Sequence, residues 1–260
     1  MVAITSLQRE HIIESVQNMY TEVASFPERV FHFPTGRPAC EYVGYPEEQL
    51  DAIPATAVES FAGVGYPFAV NAIGAGDVVL DIGSGSGTDV LIAGLLTGAR
   101  GKIFALDMTE AMREKLLHNA AQAGMDNIET VAAEAESIPL SDNSVDVVTS
   151  NGVLNLVPDK AQAFAEIYRV LKPGGRVQIA DIVVSQEVSE ACRQNPKLWA
   201  ECIVGAMEKE DYLALFREIG FRDVAQLSQL DYFAASVSEE TRNVAASLGA
   251  HSMVMQASKA

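Results

Sequence analysis

The stretch that decides the fold is "VLDIGSGSGTDVLIA", from Val79 to Ala93. A short apolar run ends in Asp81, glycines follow at positions 83, 85 and 87, and helix-forming text begins at Thr88. A strand, a glycine turn and a helix in that order form the first crossover of an open parallel sheet, where ligands sit beyond the strand ends. The alternate glycines have two readings. They either serve a tight turn alone or let the backbone come close to a ligand.

Working outward, strand and helix signals alternate. "VVLDIG" reads as a strand, Thr88 to Leu96 as a helix, "KIFALDM" as a strand and Thr109 to Ala123 as a helix closed by Gly124. "IETVAAE" and "VDVVTSNG" follow as strands, Lys160 to Leu171 as a helix stopped by "KPGG", and "RVQIADIVV" as a fifth strand. Short apolar strands separated by helices need crossover connections, so the sheet is expected to be parallel and covered on both faces. After a helical stretch near Asp211 to Ile219, "VAQLSQLDYF" and "HSMVMQASK" read as two more strands with no long helix between them, an antiparallel closing pair. The expected fold is α/β, doubly wound and Rossmann-like, with a mostly parallel seven-stranded sheet.

Upstream, residues 6 to 24 carry Leu7, Ile12, Val16, Met19 and Val23 at helical spacing. Pro27 to Pro67 is dense in proline, glycine and aromatics, with short helices expected near Glu47 to Ile53 and Thr56 to Phe61. Irregular text of this length in a compact chain is more often functional than idle. Residues 1–75 are therefore read as an N-terminal extension and substrate lid, 76–184 as the ligand-binding core, and 185–260 as the part completing the sheet and the substrate pocket.

The chain of 260 residues is 48% hydrophobic and carries a formal charge of −17. That charge repels nucleic acid and anionic membranes, which leaves a small molecule or another protein as partner. No apolar run reaches the roughly 20 residues of a membrane span, and the N-terminus lacks the blocks of a signal peptide, so a cytoplasmic protein is expected, monomer or homodimer. Cys40, Cys192 and Cys202 are odd in number without CxxC spacing, which signals neither a disulfide framework nor a metal site.

The charges around the glycine loop narrow the ligand. A dinucleotide fingerprint would need a glycine where Thr88 stands, and a diphosphate would meet Asp81 and Asp89 with no Lys or Arg before Arg100. A cationic or zwitterionic nucleoside suits the loop better, because carboxylates hydrogen-bond an ammonium group and attract positive charge. S-adenosylmethionine is such a ligand. Asp107 ends the second strand, where a carboxylate can accept from two ribose hydroxyls; its other reading is a helix N-terminal charge beside Thr109. Glu134 follows the third strand, where it can accept from the adenine amine or stand as a solvated loop charge.

Together, "VLDIGSGSG", "ALDM", "AEAESIPLSDNSVDVV" and "RVLKPGG" resemble the class I S-adenosylmethionine-dependent methyltransferases over roughly residues 77 to 184. The resemblance implies that Asp81, Gly83, Ser84, Gly85 and Gly87 lie near the methionine moiety and Asp107 on the ribose. It also implies Met108 against the adenine face, Ala133 and Glu134 at the adenine, and Asn151 facing the ligand from the other side. "SNGVLNLVPDKAQAFAEIYRVLKPGG" with "LWAECIVGA" is similar to the arsenite methyltransferase branch, where thiolates from separate segments hold the soft arsenic centre. Cys202 matches one such position, whereas Gly152 and Val64, or a neighbour of Val64, stand where that branch has cysteine. No general base is evident, and a soft nucleophile needs none. Catalytic candidates by type are Cys202 and His32; Phe33, Tyr66, Trp199 and Cys202 are candidates for the substrate pocket. The expected reaction is in-line methyl transfer to a small molecule, arsenite-like, thiol or organic. A catalytically silent binding module and, by fold analogy alone, a nicotinamide-dependent oxidoreductase are the alternatives.

Overall fold

The computed structural model of the protein describes residues 5–186, 188 and 203–260. Cys192, Trp199 and Cys202 lie outside the described residues, so their candidate roles receive no structural account.

The chain opens with helix α1, Ser6–Ser25. Its start is set by a capping box: the Thr5 hydroxyl accepts from the Gln8 amide while the Gln8 side chain accepts from the Thr5 amide. Ile12, Val16 and Val23 are buried on one face, although Leu7, part of the same spacing in sequence, is 62% exposed. Three short helices follow: α2 Gly36–Tyr42, α3 Glu47–Asp51 and α4 Ala55–Val58. The first of these departs from the irregular segment read in the sequence. Pro38 falls in the first turn of α2, where backbone N–H groups have no intrahelical partner, so the proline costs no hydrogen bond.

Then the α/β rhythm begins, with β1 Val78–Ile82, α5 Thr88–Thr97, β2 Lys102–Leu106, α6 Glu110–Gln122, β3 Ile128–Val131 and β4 Val145–Asn151. It continues with α7 Lys160–Val170, β5 Leu171–Val184, β6 Met207–Glu208 and α8 Lys209–Ile219. The chain closes with β7 Arg222–Leu230, α9 Glu239–Leu248 and β8 His251–Ser258. The strand order is β3-β2-β1-β4-β5-β8-β7. Strands β1 to β5 run parallel, and β8 is antiparallel to both β5 and β7. An eighth strand, β6, pairs only with Val183 and Val184 at the end of β5.

The expectation of no long helix between the last two strands is corrected by α9. Its signals are local: Ser238 caps the Thr241 amide, two glutamates occupy the first turn, and Gly249 ends it in the left-handed region. The strands stay antiparallel even so, and α9 packs against the turn Tyr232–Ala235.

Alternation along the strands builds two cores. Val79 packs on the face covered by α1, α5 and α6, while Leu80 and Ile82 pack with Phe164 and Phe216 of α7 and α8 on the other. The strand order reverses at β1, flanked by β2 on one side and β4 on the other, which leaves a crevice beyond their carboxyl ends. Among the described residues no helix is long and apolar enough to cross a membrane.

Candidate active site

That crevice is a cleft of about 1050 Å³ with its open mouth included. Its floor is the glycine loop. Gly83, Gly85 and Gly87 all adopt positive φ, at 73°, 51° and 101°. At Gly83 the need for glycine is doubled, since an added Cβ would sit 2.1 Å from a Val153 methyl. The loop is pinned to β2: the Gly83 and Ser84 amides donate to the Leu106 carbonyl at 2.8 and 3.0 Å. Gly87 does not line the cleft. It lets α5 approach α6, where a Cβ would meet Leu116 at 3.1 Å.

Three carboxylates gather around this floor. Asp107, 9% exposed, accepts from the Gly85 amide on one oxygen and the Thr109 amide on the other, each at 2.8 Å. Asp107 thus satisfies the start of α6, and the Thr109 side chain makes no cap bond. Burial pushes the Asp107 carboxyl above its ordinary range, and these two amides oppose the rise. Asp81, 2% exposed, has no donor on its carboxylate among the described residues. Burial first, then the charges of Asp89 and Asp107, hold it well above the usual carboxylate range.

Asp89, in the first turn of α5, faces the cleft and is held by two groups that the sequence does not single out as a unit. The Tyr45 hydroxyl donates to Oδ1, and Asn151 Nδ2 lies 3.0 Å from Oδ2. Burial raises this carboxyl to about 6 against the pull of both donors. Tyr45 itself is 4% exposed and packs edge-on against Phe61 and Tyr66.

Asn151 lines the cleft at the end of β4, but its polar atoms serve the protein. Oδ1 accepts from the Val64 and Gly65 amides at 2.8 and 3.2 Å, and Nδ2 reaches the Gly65 carbonyl at 2.9 Å. This amide moors the segment 62–65 to the sheet. As a result Gly152 and Val64 touch: a Cβ built on Gly152 would lie 3.1 Å from Val64 Cγ1.

Met108, Ala133 and Glu134 also line the cleft. Glu134 sits three residues past the end of β3 and is paired with Arg9 of α1. Apolar wall comes from Ile12, Ile13 and Val16 of α1, Phe61 and Ala62 of the extension, and Val153 and Leu156 after β4, with Ser60, Ser86, Thr88, Thr109 and Glu136 also on the lining. The helix legible as amphipathic in the sequence therefore buries its face against the cleft, with the Gln17 amide donating to the Met108 carbonyl at 3.2 Å.

Besides Gly87, three sequence candidates are placed away from the cleft lining. His32 is partly buried, edge-on to Phe33 at 4.7 Å, and burial lowers its basicity. Phe33 stacks behind Tyr20 at 6.2 Å, so it supports the wall without reaching the space. Tyr66 borders a second cavity with Leu230 and Ser252 and donates to Gln49. Cys40, fully buried in α2, is likewise off the cleft, and burial pushes its thiol far from the thiolate form. Among the described residues no His, Cys, Asp and Glu side chains group in threes to hold a metal ion.

Comparison with known proteins agrees with this geometry. A family model described as a methyltransferase domain matches residues 73–220. The chain is 36% identical to the arsenite methyltransferase of Halobacterium salinarum over 184 residues, covering 71% of this chain and 47% of that protein. It is 35% identical to a ubiquinone/menaquinone biosynthesis C-methyltransferase from Marinomonas over 139 residues, covering 52% of this chain and 53% of that one. The chain thus spans about half the length of these curated relatives. Among solved structures, an arsenic(III) S-adenosylmethionine methyltransferase from Chlamydomonas reinhardtii superposes with a TM-score of 0.68 at 32% identity, over 82% of this chain and 72% of that one. The chain belongs to the S-adenosylmethionine-dependent methyltransferase family, related to its arsenite branch.

Proposed function

We propose that the cleft binds S-adenosylmethionine and passes its methyl group to a small organic acceptor with an apolar body. The cofactor fits the polar side of the cleft. Ser84 Oγ is buried without a partner, and Asp81 has no donor among the described residues. Both face the space; a bound ammonium group supplies the hydrogen bonds they lack, and ammonium and sulfonium both bring positive charge to Asp81. Asp107 is the acceptor for the ribose, Met108 the contact for the adenine face and Glu134 the acceptor for the adenine amine. When bound, the cofactor supplies an electrophilic methyl carbon on a sulfonium.

The chain's own work is to hold the acceptor in line and keep water out. Residues 1–75 act as the lid in this reading: α1 and residues 61–63 supply apolar wall to the cleft. A soft nucleophile needs no base. For an acceptor that sheds a proton, Asp89 is the cleft carboxyl whose charge changes near neutral pH.

The contact between Gly152 and Val64 carries the choice of acceptor. Gly152, and Val64 or a neighbour of Val64, stand where the arsenite branch presents thiols; Gly152 lines the cleft and the buried Val64 packs behind it, so neither position offers sulfur. Arsenic held by several thiolates therefore loses its ligands here, and the apolar surface left in their place favours a hydrocarbon body. The test is transfer of labelled methyl from S-adenosylmethionine to a panel of apolar alcohols, thiols and quinol-like carbon acceptors, with arsenite alongside. Transfer to organic members with none to arsenite is expected. Turnover of arsenite overturns the acceptor class, and cofactor binding with no turnover on any member returns the chain to a binding module.

A further inference from the structure

We infer that Arg9, on the N-terminal helix and outside the matched methyltransferase domain, is a positioning residue for the adenine-reading carboxylate. The inference rests on the reading of Glu134 as acceptor for the adenine amine.

The helix presents Arg9 on the same stripe as Ile12, Ile13 and Val16, at spacings of three, four and seven residues, so the face that lines the cleft also carries the cation. Arg9 Nη2 bonds the Oε2 atoms of both Glu134 and Glu136. Glu136 is in turn committed on its other oxygen, which accepts from the Asp159 amide at 2.6 Å, just before α7. Its side chain is 8% exposed, against 36% for Glu134. The two acids are therefore unequal. Glu136 is the buried anchor that locates Arg9, and Glu134 is the half-open partner that Arg9 turns. Glu134 Oε1 has no partner among the described residues.

A glutamate on a loop has several side-chain torsions to lose before it can read one amine. A guanidinium nitrogen shared with a second, buried carboxylate removes that freedom in advance, and the planar group holds its donor in a more fixed direction than a lysine ammonium. Fixing one oxygen leaves the other as the acceptor for a nucleobase amine. The helix that walls the acceptor pocket thus also completes the cofactor site, and discrimination of the base depends on residue 9.

The experiment measures the affinity of S-adenosylhomocysteine and of its hypoxanthine counterpart, in which a carbonyl oxygen replaces the amine, by calorimetry. It uses the full chain as wild type, Arg9→Met and Arg9→Lys. The wild type is expected to prefer the adenine compound by on the order of tenfold or more, the usual consequence of pairing or failing to pair a charged acceptor. Arg9→Met is expected to shrink that ratio to within about threefold, with Arg9→Lys between the two. A ratio unchanged in Arg9→Met, whether or not both affinities fall together, overturns the role of Arg9 while leaving Glu134 as reader. A wild type that binds the two compounds equally removes the Glu134 reading itself, and the inference with it.

Discussion

At the scale of single residues, the site is organised by which carboxylates have donors and which lack them. Asp107 has two backbone amides and Asp89 has two side-chain donors, whereas Asp81 has none among the described residues. Asp107→Ala is expected to weaken S-adenosylhomocysteine binding by about 1 to 3 kcal/mol, because it strands ribose hydroxyls and frees the Gly85 amide together. Calorimetric affinity checks it, and an unchanged value would remove Asp107 from the ribose. The placement of Gly83, Gly85 and Asp107 at the cleft was legible from spacing because each lies within its own strand-turn-helix unit. The partners of Asp89 were not. Tyr45 lies 44 positions upstream, and nothing about a tyrosine in an aromatic segment distinguishes a phenol aimed at a carboxylate from one packed in a core. His32 shows the converse: its chemistry made it a candidate, and its surroundings turn it away from the cleft.

At the scale of elements, α1 is a wall of the cleft as much as a helix of the fold. It is held by Arg9 on Glu134 and Glu136, by Gln17 on the Met108 carbonyl, and at its far end by Lys115, whose ammonium reaches the Ala24 carbonyl at 3.1 Å and Ser60 Oγ at 2.8 Å. These are polar, part-exposed ties around an apolar seam, the pattern of an element docked onto a core that folds without it. Deleting residues 1–25 is therefore expected to leave a folded α/β core with a cooperative thermal transition. Methyl transfer to the preferred acceptor should fall at least tenfold as water enters the opened wall. Circular dichroism and turnover on the same sample check the two halves; unchanged turnover would show that the helix is not part of the site. The amphipathic spacing of α1 revealed that one face is buried, but not against what.

At the scale of the whole molecule, the protein keeps buried carboxyls in a chain that is already strongly acidic. Asp181 on β5 is fully buried, accepts from the Tyr212 hydroxyl at 2.9 Å and from the Ile182 amide at 3.0 Å, and burial pushes it up to about 7. A carboxyl raised in the folded state keeps a proton that the unfolded chain releases near pH 4. Its contribution to stability is full below that pH and is lost as pH rises through about 7. Between pH 5 and pH 8 the wild type should lose about 2 kcal/mol relative to Asp181→Asn, read from urea unfolding of both proteins at the two pH values; equal pH dependence would show that Asp181 does not titrate there. Asp81 and Asp89 act in the same sense, which makes a cationic ligand a stabiliser of the fold above neutrality. The sequence by itself determined the doubly wound sheet, the glycine turn and the acidic strand ends, because strand alternation, helix caps and crossover turns are written within a few residues of one another. Only the tertiary structure decided that Gly152 meets Val64, that Tyr45 serves Asp89, and that Arg9 reaches two glutamates from the far end of the chain. Such contacts depend on where the folded backbone brings distant segments together, and no local pattern encodes that distance.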